Sequence, residues 1–470
     1  MKLYEALAHD ISDSILRGML RPGDRLPSVR QTCAHRGVSA STVFQAYYLL
    51  EAQGLIQSRE RSGYFVAVHG QQLPPEPEPD MAALPDQESQ PLAVSERVFE
   101  LLQSTMKRNV VPFGSAFPNP LLFPMARLAR MMSSTVQQLD PWASVDDLTP
   151  GNARLRRQLA LRYLIDGLHV PADDIVVTNG ALEALNLCLS AVTRPGDAVL
   201  IESPCFYGAL QAIERHGLQA IAVPTHPREG MDLAAAQRAL ERHSPKACWL
   251  MSNFQNPLGS LMPEQKKREL VALLTRYQVP LIEDDVYGEL YFGSQRAAPA
   301  KAFDTEGLVM HCSSFSKCLA PGYRVGWVAA GRYAREVARH KLTSTLTTCA
   351  PAQAALALYL EKGGYDRHLR LLRHKLASQQ ALFSEALARH FPPGTRVTRP
   401  KGGYFLWVEL PDGVDALTVH QHALALGISV APGPMFAPQP DFAHCLRLNY
   451  GHAWDERAEA ALVALAGIVT

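Results

Sequence analysis

One lysine stands in a setting suited to covalent chemistry. In SSFSKCLAPGYRVGW, residues 313–327, Lys317 follows three serines and precedes an apolar turn that leads to Arg324. A lysine amine attacks carbonyl carbon only when neutral, and partial desolvation makes it so. Arg324, seven residues on, offers a planar fork to an oxyanion, and Ser314, three before the lysine, offers a hydroxyl. Upstream, VVTNGALEAL sets Gly180, Ala181 and Leu182 at a strand-to-helix junction, where free N–H groups and the helix dipole bind phosphate. ESPCFYGA presents Phe206, with Tyr207 as a competing aromatic, and FQNPLG presents Asn256 in a turn. IEDDVYGE supplies a carboxylate at a strand end, Asp284 or its neighbour Asp285, with Tyr287 close behind. Near the C-terminus, CLRLNY presents Arg447, whose planar fork suits a carboxylate better than a lysine would.

The segments between these residues alternate strand and helix. Strand candidates are Ile175–Thr178, Ala198–Glu202, Ala220–Val223, Ala247–Met251, Leu281–Glu283 and Val309–Cys312, with amphipathic stretches such as Leu182–Val192 between them. That alternation predicts an α/β fold with a mostly parallel sheet. A smaller α+β portion follows over residues 340–470, including a strand from Gly403 to Val408.

At 470 residues the chain needs more than one domain. With 47% hydrophobic and 19% charged residues it is globular rather than disordered, and no apolar run approaches the roughly 18 residues of a membrane span. A cytoplasmic protein without membrane partners is expected. Eight cysteines without a CxxC pair or zinc spacing read as reduced thiols, with no metal site. Residues 71–91 hold six prolines and five acids and no Lys or Arg, a composition that builds no core. The chain thus divides into a small domain at 1–69, a linker at 70–95 and a large domain at 96–470. The overall charge of +1 averages these parts, and residues 1–69 carry eight basic and six acidic groups.

In the small domain, Leu3, Leu7, Ile11 and Ile15 recur at helical spacing. A second helix starts near Pro27-Ser28, and Gly37 precedes a third, capped in Ser39-Ala40-Ser41-Thr42. Two strands around Arg59-Glu60-Arg61-Ser62 complete a helix-turn-helix with a charged hairpin. The ordered elements PGDRLPSVR, GVSASTV, YLLEAQGLI and SGYFV resemble the winged helix-turn-helix of GntR-type bacterial regulators. The resemblance implies a DNA operator as partner. Arg25, Arg30, Arg59 and Arg61 would supply cationic contacts, Ser39, Ser41, Thr42 and Gln45 would lie on the recognition helix, and Gly63 would open the wing strand. The family often carries Arg where this chain has Ala40. The bland alternatives are ion pairs of Arg25 and Arg30 with Asp24 or Glu51, and helix capping by Ser39 and Thr42.

The lysine segment and its companions resemble fold-type I, class I aminotransferases, which implies pyridoxal 5′-phosphate as cofactor. By that resemblance Lys317 holds the aldehyde as an aldimine, Arg324 and Ser314 grip the phosphate with Gly180, Ala181 and Leu182, and Phe206 stacks on the ring. Asn256 and Tyr287 reach O3′, Asp284 faces the ring nitrogen, and Arg447 takes the α-carboxylate of an effector or substrate. Gly114 and Ser115 resemble a mobile segment that closes over that ligand. The family's Gly and Leu-Arg stand at Gly151, Leu155 and Arg156, but the tyrosine that usually precedes them is replaced by Asp146.

A winged helix joined to an aminotransferase-like domain resembles the MocR branch of GntR regulators, which implies a head-to-tail homodimer. The expected function is a PLP-dependent transcription regulator that senses the cofactor, an amino acid or another amino compound through aldimine exchange at Lys317. A working aminotransferase is the second reading, and a DNA-binding protein with a dead structural domain the third.

Overall fold

The computed structural model describes residues 3–16, 19–21, 23–52, 55–59, 63–66, 90–91, 94–105, 110–138, 140–142, 145, 147–439 and 441–470. The chain divides into two compact units, residues 1–75 with 377–389, and residues 76–376 with 390–470. Arg61, Asp146 and most of the proline-rich stretch lie outside the described residues, and Arg59 is described by its backbone alone.

In the first unit, helix Leu3–Leu16 buries Leu7 and Ala8 against Val43, Ala46, Tyr47 and Leu50 of helix Ala40–Ala52. Helix Val29–Arg36 starts with a reciprocal cap: Gln31 N–H donates to Ser28 Oγ, and Ser28 N–H donates to Gln31 Oε1. Gly37, at φ 63°, ends it in the left-handed region that glycine enters without strain. Buried Tyr47 is fully satisfied, donating to Pro27 O at 2.7 Å and accepting from Thr32 Oγ1 at 2.7 Å. Strands Ile56–Arg59 and Gly63–Val66 pair antiparallel to form the hairpin.

The central sheet of the second unit runs Gln90–Pro91, Gln219–His226, Ala198–Ser203, Ala247–Leu250, Leu281–Asp284, Val309–Ser314, Gly326–Ala329, Ile175–Thr178, with Gly230–Met231 paired to the second of these. Its middle is parallel, and Gly326–Ala329 runs antiparallel between its two neighbours. Alternate residues feed two helix-covered cores: Val199 and Ile201 join Leu185, Leu210 and Ile213, while Leu200 joins Ile221, Leu270 and Leu274. Strands buried on both faces read as unbroken apolar runs, which is why they stood out in the sequence. A four-stranded sheet, Arg396–Val397, Phe405–Glu409, Cys445–Asn449 and Ala431–Pro432, sets Arg447 opposite Trp407 and Ala431.

The end of the proline-rich stretch is structured. Gln90 and Pro91 form an edge strand beside Ala220 and Gln219, where a residue without an N–H is tolerated. Glu214 Oε2 then accepts from the N–H groups of Val94 and Ser95, each at 2.8 Å, at the start of helix Ser95–Thr105. All eight cysteines are free thiols, six of them buried. Among the described residues no helix is long and apolar enough to cross a membrane.

Candidate functional site

Six strands run in one direction, and the segments leaving five of them, after Thr178, Ser203, Leu250, Asp284 and Ser314, converge at their carboxyl edge, where open α/β sheets bind ligands. They border a cleft of about 170 Å³. Its lining includes Ala181, Leu182, Phe206, Tyr207, Asn256, Asp284, Tyr287, Ser314, Lys317 and Arg324, so motifs separated by more than a hundred residues meet in one place.

Lys317 is half-buried. Its Nζ donates to Ala116 O at 2.8 Å and sits 4.0 Å from the centre of the Phe117 ring. Burial, reinforced by the positive charges of Arg447 and Arg324, lowers the amine to about 7 against the pull of Asp284. Asp284 moves the other way: burial pushes its carboxyl up to about 7, with Asp285 and Glu283 adding to the rise and the Val286 N–H and Lys317 opposing it.

At one end of the cleft, Gly180 caps helix Ala181–Val192 with φ 86°. Arg324 lies against it, donating from Nη2 to Asn179 O at 3.3 Å and from Nη1 to Ser316 Oγ at 3.2 Å. A Cβ on Gly180 would stand 2.5 Å from Arg324 Nη2, and one on Gly326 would stand 2.6 Å from the Gly180 carbonyl carbon. Gly180→Ala combines left-handed strain with that collision. At a cost of about 1–3 kcal/mol, cofactor affinity is expected to fall roughly 5- to 150-fold, read by titration of the visible absorbance.

At the opposite end, Arg447 is fully buried and forms no ion pair among the described residues. Its Nη1 donates to Asn256 Oδ1 at 3.1 Å and its Nη2 to Gly114 O at 2.7 Å, over the Phe405 ring at 4.2 Å. Gly114 is required there, because a Cβ would come 2.7 Å from the Val430 carbonyl carbon. Ser115 Oγ accepts from Phe117 N–H, and Ser115 O accepts from Asn449 Nδ2. Tyr287 packs edge-on against Tyr404 and Phe405. Phe206 and Tyr207 both line the cleft, Phe206 half-buried and Tyr207 buried against Phe436.

In the small unit, Arg25, Arg30, Gln45 and Gly63 are exposed. Neither Arg25 nor Arg30 forms an ion pair among the described residues, and Asp24 Oδ2 accepts from Arg21 N–H instead. Ser39 Oγ accepts from Thr42 N–H and lies 2.8 Å from Ser41 Oγ and 2.9 Å from Thr42 Oγ1, so these three hydroxyls form the helix cap.

Residues 3–66 match the bacterial regulatory proteins of the gntR family, and residues 148–465 match aminotransferase class I and II. Over its length the chain is similar to the HTH-type transcriptional regulator YdcR of Escherichia coli, 47% identical over 469 residues that cover 100% of this chain and 99% of that protein. The E. coli regulator YjiR is 38% identical, covering 98% and 97%. The chain belongs to the MocR-type GntR regulators. This MocR-type regulator is also similar to the 2-aminoadipate transaminase of Thermus thermophilus, 32% identical over 75% of the chain and 88% of that protein. The kynurenine aminotransferase of Pyrococcus horikoshii, solved with PMP, superposes with a TM-score of 0.74 at 30% identity, covering 79% of the chain and 94% of that structure.

The MocR-type regulator is a PLP-dependent DNA-binding transcription regulator. Its cleft fits pyridoxal 5′-phosphate, because two buried polar atoms of its lining, Asp284 Oδ1 and Asn256 Nδ2, lack hydrogen-bond partners, as does Nε of Arg447, which lies behind the lining and is bonded to Asn256. They are an acceptor for a ring N–H and donors for a phenolic oxygen and a carboxylate, the complement that ligand-free burial would otherwise penalise.

Sequence reasoning missed the supports of these groups. Asp285 Oδ2 accepts from Arg296 Nη2 at 2.6 Å and from His311 Nε2 at 3.0 Å, and its Oδ1 accepts from Asn253 Nδ2 at 2.8 Å. Trp327 Nε1 donates to the Tyr163 hydroxyl, which in turn donates to His311 Nδ1 at 2.7 Å. Burial alone would raise Asp285, but Arg296, His311 and Asn253 hold it below the usual carboxylate range. Asp285 is therefore a fixed negative charge that helps raise its neighbour Asp284, whereas the unpartnered oxygen belongs to Asp284. Ser316, bonded to Arg324, and Ala116 with Phe117, against Lys317, are the other additions.

Proposed function

We propose that this regulator senses its cofactor or an amino compound through exchange at Lys317 Nζ, and that the exchange changes its hold on operator DNA. One observation carries the proposal. The segment Gly114–Phe117 is bonded to both ligand-facing cations, through Gly114 O to Arg447 and Ala116 O to Lys317. A ligand with an amine and a carboxylate competes for both contacts at once. Effector binding and segment position are then coupled, and such a ligand shifts DNA affinity to the extent that it prefers one arrangement over the other.

Bound pyridoxal phosphate supplies an aldehyde that takes up amines and a ring that accepts electron density. Asp284 Oδ1 holds a proton at the ring nitrogen, Asn256 Nδ2 and the Tyr287 hydroxyl orient the phenolic oxygen, and Phe206 covers the ring. Arg324 with Ser314 and the Gly180–Leu182 helix start binds the phosphate. Arg447 binds the carboxylate, and Gly114 and Ser115 belong to the segment that closes on it. In the small unit Arg25, Arg30, Arg59 and Arg61 contact phosphates, with Ser39, Ser41, Thr42, Gln45 and Gly63 at the groove. We further propose a cytoplasmic homodimer, with exposed apolar side chains such as Leu121 and Trp142 suited to cover by a second copy.

The shifts of Lys317 and Asp284 set a pH dependence. Below about 7 the lysine is protonated and unreactive and Asp284 is neutral, while above it the amine is free and the carboxylate charged. Both changes favour cofactor capture as pH rises. The capture rate of apo-protein, followed by absorbance, is expected to rise to half its plateau near pH 7 rather than near 10.5.

The likeness to transaminases supports a second reading, turnover. Incubating holo-protein with amino acids and 2-oxo acids separates the two. A stoichiometric spectral change without accumulating 2-oxo acid supports sensing, and sustained 2-oxo acid production supports an enzyme.

A further inference from the structure

The recognition-type helix Ala40–Ala52 buries Val43, Ala46, Tyr47 and Leu50, and turns Ala40, Ser41, Phe44, Gln45 and Tyr48 outward. Phe44 is 53% exposed, an unusual position for a phenylalanine that takes no part in the core of its own unit. The helix carries no lysine or arginine anywhere along its length. It therefore cannot make the forked arginine or lysine contact to guanine O6 and N7, the commonest specific contact in the major groove. Its aliphatic hydroxyls, Ser41 and Thr42, are bonded to Ser39 at the cap. Beside the small Ala40 and the exposed Tyr48, the helix offers base edges one amide, Gln45, and one large apolar group, Phe44, adjacent in sequence and both exposed.

Those two groups match one kind of base pair. An amide forks onto adenine N6 and N7, and an apolar side chain packs on the thymine C5-methyl group. We propose that Phe44 is a specificity-determining residue that reads a thymine methyl in the operator, beside an adenine read by Gln45, so that the centre of each half-site is A·T. This rests on the reading of the small unit as a DNA-binding head. The absence of arginine on the helix face leaves phosphate contacts to Arg25, Arg30 and the hairpin, which position without reading sequence.

The experiment selects bound fragments from a random duplex pool with the full-length holo-protein, then remakes the selected site with uracil for thymine at single positions. Uracil lacks only the methyl group. Removal of one buried methyl is expected to weaken binding about fourfold per half-site, at one position, for the wild type. Phe44→Ala is expected to bind thymine and uracil sites equally while keeping the preferences at other positions, and Phe44→Leu to keep part of the thymine preference. A selected motif that is indifferent to uracil, or a thymine preference that survives in Phe44→Ala, overturns the role of Phe44 and leaves the DNA-binding reading standing. A pool that yields no motif overturns that reading and the role of Phe44 with it. The uracil comparison on wild-type protein needs no variant to fold.

Discussion

Lys317→Ala is expected to bind pyridoxal phosphate without the visible band of the lysine-linked cofactor, and to hold DNA with an affinity that no added amino compound changes. Coupling between sites in such proteins is worth about 1–3 kcal/mol, or roughly 5- to 150-fold in affinity, and the variant should lose all of it. The expectation follows from the contacts of Nζ. It is the only lysine among the described residues that line the cleft, its amine is held near neutrality by burial and by Arg447, and it is bonded to Ala116 O. With Arg324, Ser314 and the helix start proposed to hold the phosphate, cofactor binding is expected to weaken while the exchange itself is lost. Spectrophotometry with DNA titrations in the presence and absence of amino acids provides the check.

Arg447→Leu is expected to separate ligand recognition from cofactor binding. The guanidinium is buried, forms no ion pair among the described residues, and has an unpartnered Nε, so a bound carboxylate would be its natural counter-ion. Truncating one partner of a buried charge pair costs about 2–5 kcal/mol, which predicts a roughly 30- to several-thousand-fold loss of affinity for amino acids. Amines without a carboxylate should be little affected, and the visible band should remain. Because a buried charge without an anionic partner is costly, its removal offsets the lost packing and the lost bonds to Asn256 and Gly114, and the melting temperature is expected to change little. A variant that loses the cofactor as well would place Arg447 in the scaffold instead.

Much of this site was legible because its residues lie at strand ends and in short turns with distinctive neighbours. Lys317, Arg324, Asp284 and Asn256 announce themselves through local spacing, and the strands that carry them are apolar runs buried on both faces. The contacts that support them come from register, which spacing does not display. His311 faces Glu283 across two parallel strands, one step from the Asp284 partner Cys312, and this offset brings it to Asp285. The lysine's acceptor, Ala116, lies about two hundred residues upstream, two places past the Gly114 that the motif pointed to. Residues 90–95 looked like linker by composition, yet an edge strand accepts proline, and Glu214, far along the chain, caps the helix that follows.

The account stands on a link between Lys317 and the DNA-binding head. Its most direct test is the dissociation constant of the full-length protein for a DNA fragment selected by the holo-protein, measured for apo-protein, for holo-protein, and for holo-protein with each of the standard amino acids and a set of ω-amino acids. At least one of these states is expected to differ from holo-protein by fivefold or more, with the difference abolished in Lys317→Ala. Equal affinities across all states, or a difference that persists without Lys317, would contradict it.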